Sequence, residues 1–330
     1  MAEERRRTRR RVGLAGAVAT GLALAAVARS RRPGWSTLED PCGPEGLALP
    51  DGEPTSVVTD DGAVLDVLVA GDPDAPTVVL PHCWTGTKEI WAPVGRRLVA
   101  AGYRVVLYDQ RGHGRSTMGT GPTSTDRLGD DLLAVLDAVG GTDLVLAGHS
   151  MGGMTIQAFA AGHPADFRAR VRGVVLVATA AQALPAPLPA PIVERVLGDA
   201  AMVRLAGRGV TSGATRGAVG RQAHRAHVRA THDSFLNTSG AARAGFLVGM
   251  SRMDYRRGLG QITVPTAVLV GTQDRLTPMG RARVLAEGIP GAELVVLPGM
   301  GHMLPLEAPE AVADAIIAKG ALAPAMSGRA

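Results

Sequence analysis

The sequence predicts an α/β fold, a mostly parallel eight-stranded sheet flanked by helices, and three observations predict it. Eight short β-like runs recur along the chain: SVVTD, AVLDVLVA, TVVLPH, YRVVLYDQ, DLVLAGHS, VRGVVLVAT, TAVLVGT and AELVVLPG. Helix-compatible segments lie between most of them, at 90–101, 125–139, 152–162, 279–287 and 308–318. Such alternation is the pattern of a parallel sheet covered by helices on both faces. The third observation is a strand-like run that ends on a lone serine between glycines, LVLAGHSMGG at 144–153.

Taken in order, the chain opens with RRRTRRR at 5–11, an uncharged run VGLAGAVATGLALAAVA at 12–28, and RSRR at 29–32. Basic flanks around an apolar core are a membrane signal, and at 1.5 Å per residue the 12–28 segment spans about 25 Å against a hydrocarbon core of about 30 Å. The sequence therefore predicts residues 1–32 as a membrane anchor or signal segment. Ala26-Val27-Ala28 offers a cleavage site, and more arginines stand before the apolar run than after it. By the positive-inside bias the domain that follows would be exported, either anchored through residues 12–28 or secreted after cleavage. A basic, Ala-rich extension on a cytoplasmic protein is the alternative.

The net charge of +5 belongs to this segment, because nine Arg and two Glu in the first 32 residues leave the remainder at −2. A nucleic-acid partner loses its main support. Two cysteines, Cys42 and Cys83, stand in no metal-ligand spacing. Residues 33–54 are dense in Pro and Gly and are expected to be a linker.

The body is expected over 55–179 and 261–319, with 320–330 as a tail. Its first two runs are joined by Asp60-Asp61-Gly62, a hairpin signal. From about Ala180 to Gly260 the alternation stops, and helix-compatible pieces follow the Pro-rich stretch ALPAPLPAPIV. Some 80 residues are too many for a plain loop in a compact sheet, so 180–260 are expected to be a helical cap.

The glycines around Ser150 fit a nucleophile at a tight strand-to-helix turn, where neighbours without Cβ let the helix pack on the strand. Gly148 and Gly152 are the expected supports of that elbow, and the Met151 N–H, at the first turn of the helix, points at an oxyanion. A serine hydroxyl needs a base, and the base needs a carboxylate behind it. Asp274 follows the apolar run Thr266 to Val270, and His302 follows Leu294 to Leu297, so both stand past the carboxyl ends of strands. After the run Val174 to Val177, residues 179–184 (TAAQAL) offer no competing carboxylate.

With GHSMGG at 148–153, YDQRGHGRS at 108–116, VPTAVLVGTQDRLTP at 264–278 and GMGHMLPLEAPE at 299–310, the chain resembles the α/β-hydrolase superfamily. The resemblance covers about Thr55 to Lys319 and is to its capped, single-domain members, many of them bacterial esterases and lipases. It implies a catalytic triad in the order Ser150, Asp274, His302 and a second oxyanion donor, the Trp84 N–H, from the loop after the third strand. Members usually have His-Gly in that loop. This chain has His82-Cys83, a thiol that would crowd or polarise the oxyanion pocket, though Cys83 is expected to be a small packed residue and not a catalytic one.

Asp109, Arg111 and His113 are expected to be structural, as that loop is in similar proteins. His224, His227 and His232 in the cap do not complete a metal site. The function implied is hydrolysis of a carboxylic ester, a hydrophobic acyl ester or lipid, as small-molecule substrate, with no cofactor and no metal. Acyl transfer, C–C bond hydrolysis and cofactor-free haloperoxidase-like activity share the triad. A ligand-binding protein with negligible turnover is the alternative outside enzymes.

Overall fold

In a computed structural model of the chain, residues 46–184, 189–198, 215–221 and 223–322 are described. The eight expected strands form one sheet: β1 (Gly52–Val58), β2 (Val64–Ala70), β3 (Thr77–Pro81), β4 (Arg104–Tyr108), β5 (Leu144–His149), β6 (Val171–Val177), β7 (Thr266–Gly271) and β8 (Glu293–Leu297). Their spatial order is β1-β2-β4-β3-β5-β6-β7-β8. β2 pairs antiparallel with β1 and β4, and every later pairing is parallel. The strand β1 begins at Gly52, ahead of Thr55, because it runs in register with the whole of β2, from Gly52 opposite Ala70 to Val58 opposite Val64.

Helices α1 (Ala92–Ala100), α2 (Thr125–Val139), α3 (Met151–Gly162), α4 (Pro164–Arg170), α8 (Met279–Gly288), α9 (Leu304–Glu307) and α10 (Pro309–Leu322) cover the sheet. Three more, α5 (Ala190–Leu197), α6 (Arg225–Asn237) and α7 (Gly240–Met250), lie between β6 and β7, where the cap was expected. The central strands β3 and β5 are buried at every position, as strands with helices on both faces must be. One core layer packs Val79, Val106, Leu146 and Phe159 on one face of the sheet, and another packs Leu80, Trp91, Leu107 and Ile316 on the other. A third cluster, with Met151, Met154, Ala242 and Phe246, joins the helix after the elbow to α7.

Local signals in the sequence set the ends of elements. The Ser124 hydroxyl accepts from the Arg127 N–H at 3.2 Å and caps α2, which ends at Gly140 with φ 70°. β3 pairs with β4 on one side and β5 on the other, so the crossovers diverge there and leave a crevice at the carboxyl ends of β3 and β5.

The expected membrane helix, and the anchored or exported localisation built on it, are corrected. Among the described residues no helix is long and apolar enough to cross a membrane. The longest, α2, has 15 residues, about 22 Å at 1.5 Å each, short of a hydrocarbon core of about 30 Å. Residues 12–28, where the expectation fell, lie outside the described residues, as do 1–45 in general, 185–188, 199–214, 222 and 323–330.

Candidate active site

Ser150 stands between β5 and α3 with φ 53° and ψ −113°, a left-handed conformation that costs a non-glycine residue of order 1–3 kcal/mol. The surroundings over-determine it. The Ser150 N–H donates to the Val177 carbonyl at 2.9 Å, and the Thr179 hydroxyl donates to the Ser150 carbonyl at 2.6 Å. A Cβ on Gly148 would lie 2.4 Å from the Gly152 carbonyl oxygen, and one on Gly152 would lie 2.0 Å from that of Pro81. Both positions therefore exclude a side chain, and the approach of α3 to the end of β3 is what excludes it at Gly152.

Asp274 and His302 meet although they are far apart in sequence. The His302 Nδ1 lies 2.9 Å from Asp274 Oδ2, both residues being buried. Asp274 Oδ1 accepts from the N–H groups of Leu276 and Thr277 at 2.8 Å each, and Oδ2 accepts from the Thr277 hydroxyl at 2.7 Å. Burial alone would push this carboxyl up, but His302 and the Thr277 donors outweigh it and hold it below the usual carboxylate range. The ring of His149, next to Ser150 in the chain, lies 5.0 Å from the His302 ring, and its Nε2 donates to the His302 carbonyl at 2.8 Å. The elbow and the His302 loop are thereby joined at one sheet edge.

Glu307 fixes that loop from behind, accepting from the N–H groups of Gly220 at 2.7 Å, Gly301 at 2.8 Å and Met303 at 2.9 Å. Burial pushes its carboxyl up against the pull of those three donors. The sequence reading gave Glu307 and Thr277 no role, although GMGHMLPLEAPE and VPTAVLVGTQDRLTP contain them.

The loop after β3 carries Trp84 over the same edge. Among the described residues neither the Trp84 nor the Met151 N–H donates to a protein acceptor. Behind them His82 is fully buried: its Nδ1 lies 2.7 Å from the Cys83 carbonyl and its Nε2 accepts from the Gln110 N–H at 2.8 Å. Burial lowers His82 to about 4, and likewise His113 and His149 to about 3, so all three rings are neutral supports at pH 7. Cys83 turns into the core beside Ile90 and Trp91, and burial pushes its thiol up to about 12.

The loop after β4 is an ion-pair scaffold. Asp109 accepts from the Lys88 N–H at 2.8 Å and from its ammonium at 2.9 Å, and the ammonium also pairs with Asp66. Arg111, fully buried, bonds both oxygens of Asp131 at 2.5 Å and both of Asp61 at 2.8 and 3.0 Å. His224 and His227 stack edge to face at 5.2 Å, and His232 pairs with Asp233. Among the described residues no group of three or more His, Cys, Asp and Glu is arranged to hold a metal ion.

Known proteins resemble the chain over the region of this site. A bifunctional esterase/perhydrolase of Acinetobacter calcoaceticus is 27% identical over 274 residues, which cover 79% of this chain and 98% of that protein. A non-heme chloroperoxidase of Burkholderia pyrrocinia is 29% identical, covering 74% of this chain and 92% of its own. Among solved structures, a thermophilic esterase from Thermogutta terrifontis superposes with a TM-score of 0.68 at 27% identity, covering 81% of this chain and 97% of that one. The profile of the alpha/beta hydrolase fold family matches residues 76–309, and the chain belongs to that family of enzymes.

Proposed function

We propose that the protein is a serine hydrolase of carboxylic esters, with Ser150 as nucleophile, His302 as general base then acid, and Asp274 as its orienting carboxylate. The single observation that carries the reading is the buried 2.9 Å His302–Asp274 contact at the same sheet edge as a serine held at φ 53°. In this reading the Ser150 Oγ attacks the ester carbonyl while His302 takes its proton. The Trp84 and Met151 N–H groups stabilise the oxyanion, and His302 then protonates the leaving alkoxide. Water, deprotonated by His302, releases the acid and restores the serine.

The helices between β6 and β7 act as a cap over residues 180–260. The apolar stretches PAPIVERVL and AGFLVGM of this segment suit a hydrophobic acyl group. A second reading draws on the perhydrolase and chloroperoxidase relatives: hydrogen peroxide, in place of water, takes the acyl group and leaves as a peroxy acid.

The test is fluorophosphonate labelling of the full chain beside Ser150→Ala, followed by a chain-length series of p-nitrophenyl esters with and without peroxide. Labelling is expected to vanish in the variant and turnover to fall by about 10⁵–10⁶. Labelling that persists in Ser150→Ala, or no ester turned over by the folded wild type, would overturn the reading.

A further inference from the structure

The turn that carries the Trp84 N–H is held from the cap as well as from the body. Thr85, the next residue, has φ 55°, a left-handed conformation that a β-branched residue adopts only when its neighbours impose it. Two hydroxyls bracket it: the Thr85 Oγ1 donates to the Trp84 carbonyl at 2.7 Å, and the Ser234 Oγ, on α6, donates to the Thr85 carbonyl at 2.7 Å. The Trp84 indole is held by the same part of the chain. Its Nε1 donates to the Arg243 carbonyl, on α7, at 3.1 Å, and its ring packs edge to face on Phe235 of α6 at 5.9 Å.

Arg243 joins these supports to one another. Its buried guanidinium donates to the carbonyls of Phe235 at 3.0 Å and Leu236 at 3.1 Å, to that of Thr238, and to that of Leu197 at 3.1 Å. The cation thus gathers the carboxyl ends of α6 and α5, where helix carbonyls lack partners of their own. The Trp84–Thr85 peptide is consequently fixed at three points to a unit that is internally rigid.

We propose that Ser234 is a positioning residue for the oxyanion hole: from the cap it holds the strained Trp84–Thr85 turn, so that the Trp84 N–H is aimed at the reacting carbonyl only while the cap is seated. This rests on the serine hydrolase reading and adds to it that cap seating and oxyanion stabilisation are one event. A substrate that lets the cap close completes the hole, and one that props it open loses a donor.

Ser234→Ala removes the hydroxyl without touching the triad. On p-nitrophenyl butyrate its kcat is expected to fall about tenfold with KM within about twofold, short of the 10²–10³ for outright loss of a donor. Binding of a trifluoromethyl ketone, which forms an oxyanion on Ser150, should weaken by a similar factor. Ser234→Thr, which returns the hydroxyl, should recover most of both. Ser239→Ala is the control: Ser239 caps α7 by accepting from the Ala242 N–H at 3.2 Å, so its loss should lower Tm with no change in ketone affinity.

Ketone affinity unchanged in Ser234→Ala, or lost equally in Ser239→Ala, would overturn the assignment while the wild type still turns over ester. A wild type that neither labels at Ser150 nor hydrolyses ester would overturn the hydrolase reading and this assignment together.

Discussion

Asp109 and Asp274 occupy equivalent places in the fold, just past the carboxyl ends of the parallel strands β4 and β7, and both are buried. Their partners differ. Asp109 faces the Lys88 ammonium, whose pKa burial would lower but which Asp66 and Asp109 raise above the ordinary lysine value. Asp274 faces the Nδ1 of His302, the ring that on the hydrolase reading takes the serine proton and then gives it up. An acid locked on a permanent cation contributes structure, whereas an acid on a titratable ring can steady a charge that comes and goes.

The same Asp→Asn exchange at the two sites should therefore read out in opposite ways. Asp274→Asn has the largest expected effect: the amide keeps an oxygen for the Leu276 and Thr277 N–H groups but presents N–H₂ to His302, which favours the wrong tautomer. On the hydrolase reading, kcat should fall by about 10⁴ with stability changed by less than about 2 kcal/mol. Its acid limb should change too. A carboxyl held below its ordinary 3.8 contributes stability that is complete above that value and fades as pH drops beneath it. Asp274→Asn should flatten the fall of Tm in that window, and a kcat within tenfold of wild type would break the comparison.

Asp109→Asn should do the reverse. It leaves the buried Lys88 with Asp66 as its one close carboxylate, Glu89 lying at 4.0 Å, and breaking a buried pair typically costs about 3–5 kcal/mol. We expect about 3 kcal/mol, because one carboxylate remains, and so a Tm lower by about 6 °C. Activity per folded molecule should stay within about threefold. A variant with unchanged Tm but crippled turnover would move Asp109 into the catalytic class.

What the sequence made legible follows the same division. The alternation of β-like and helical runs carried the eight strands, most plainly β3, β5 and β7, which are buried throughout and leave continuous apolar runs. The elbow was legible because glycines are demanded by sterics at Gly148 and Gly152. What escaped were groups that act through other residues: Glu307, which collects three N–H groups, Thr277, and the neutral rings of His82 and His149. Nothing in their local sequence distinguishes them from surface polar residues, since their roles arise only when the carboxyl ends of β3, β5, β7 and β8 are gathered at one end of the sheet. The helix α4 and the early start of β1 at Gly52 were missed for a related reason: pairing to a neighbour and packing under the sheet set those ends, not propensity. The apolar run at 12–28 misled in the other direction, since a composition suited to membranes raised an expectation of an anchor that the described helices do not share.

The smallest expected effect concerns Cys83, which the sequence offers as a small packed residue that could also crowd the oxyanion pocket. It is buried in the core cluster that holds Ile90 and Trp91, and a Cβ added at Gly86 would lie 2.7 Å from its sulfur, so the loop closes over it. With its pKa pushed up to about 12, the thiolate fraction at pH 8 is roughly 10⁻⁴. In a Cys42→Ser background, Ellman's reagent should leave the native protein untouched over minutes and react once urea unfolds it. Cys83→Ala should alter kcat by less than about threefold, because only a small packed group is lost. Rapid native labelling, with a matching loss of ester turnover, would put the sulfur in the pocket and overturn its assignment as a packed side chain.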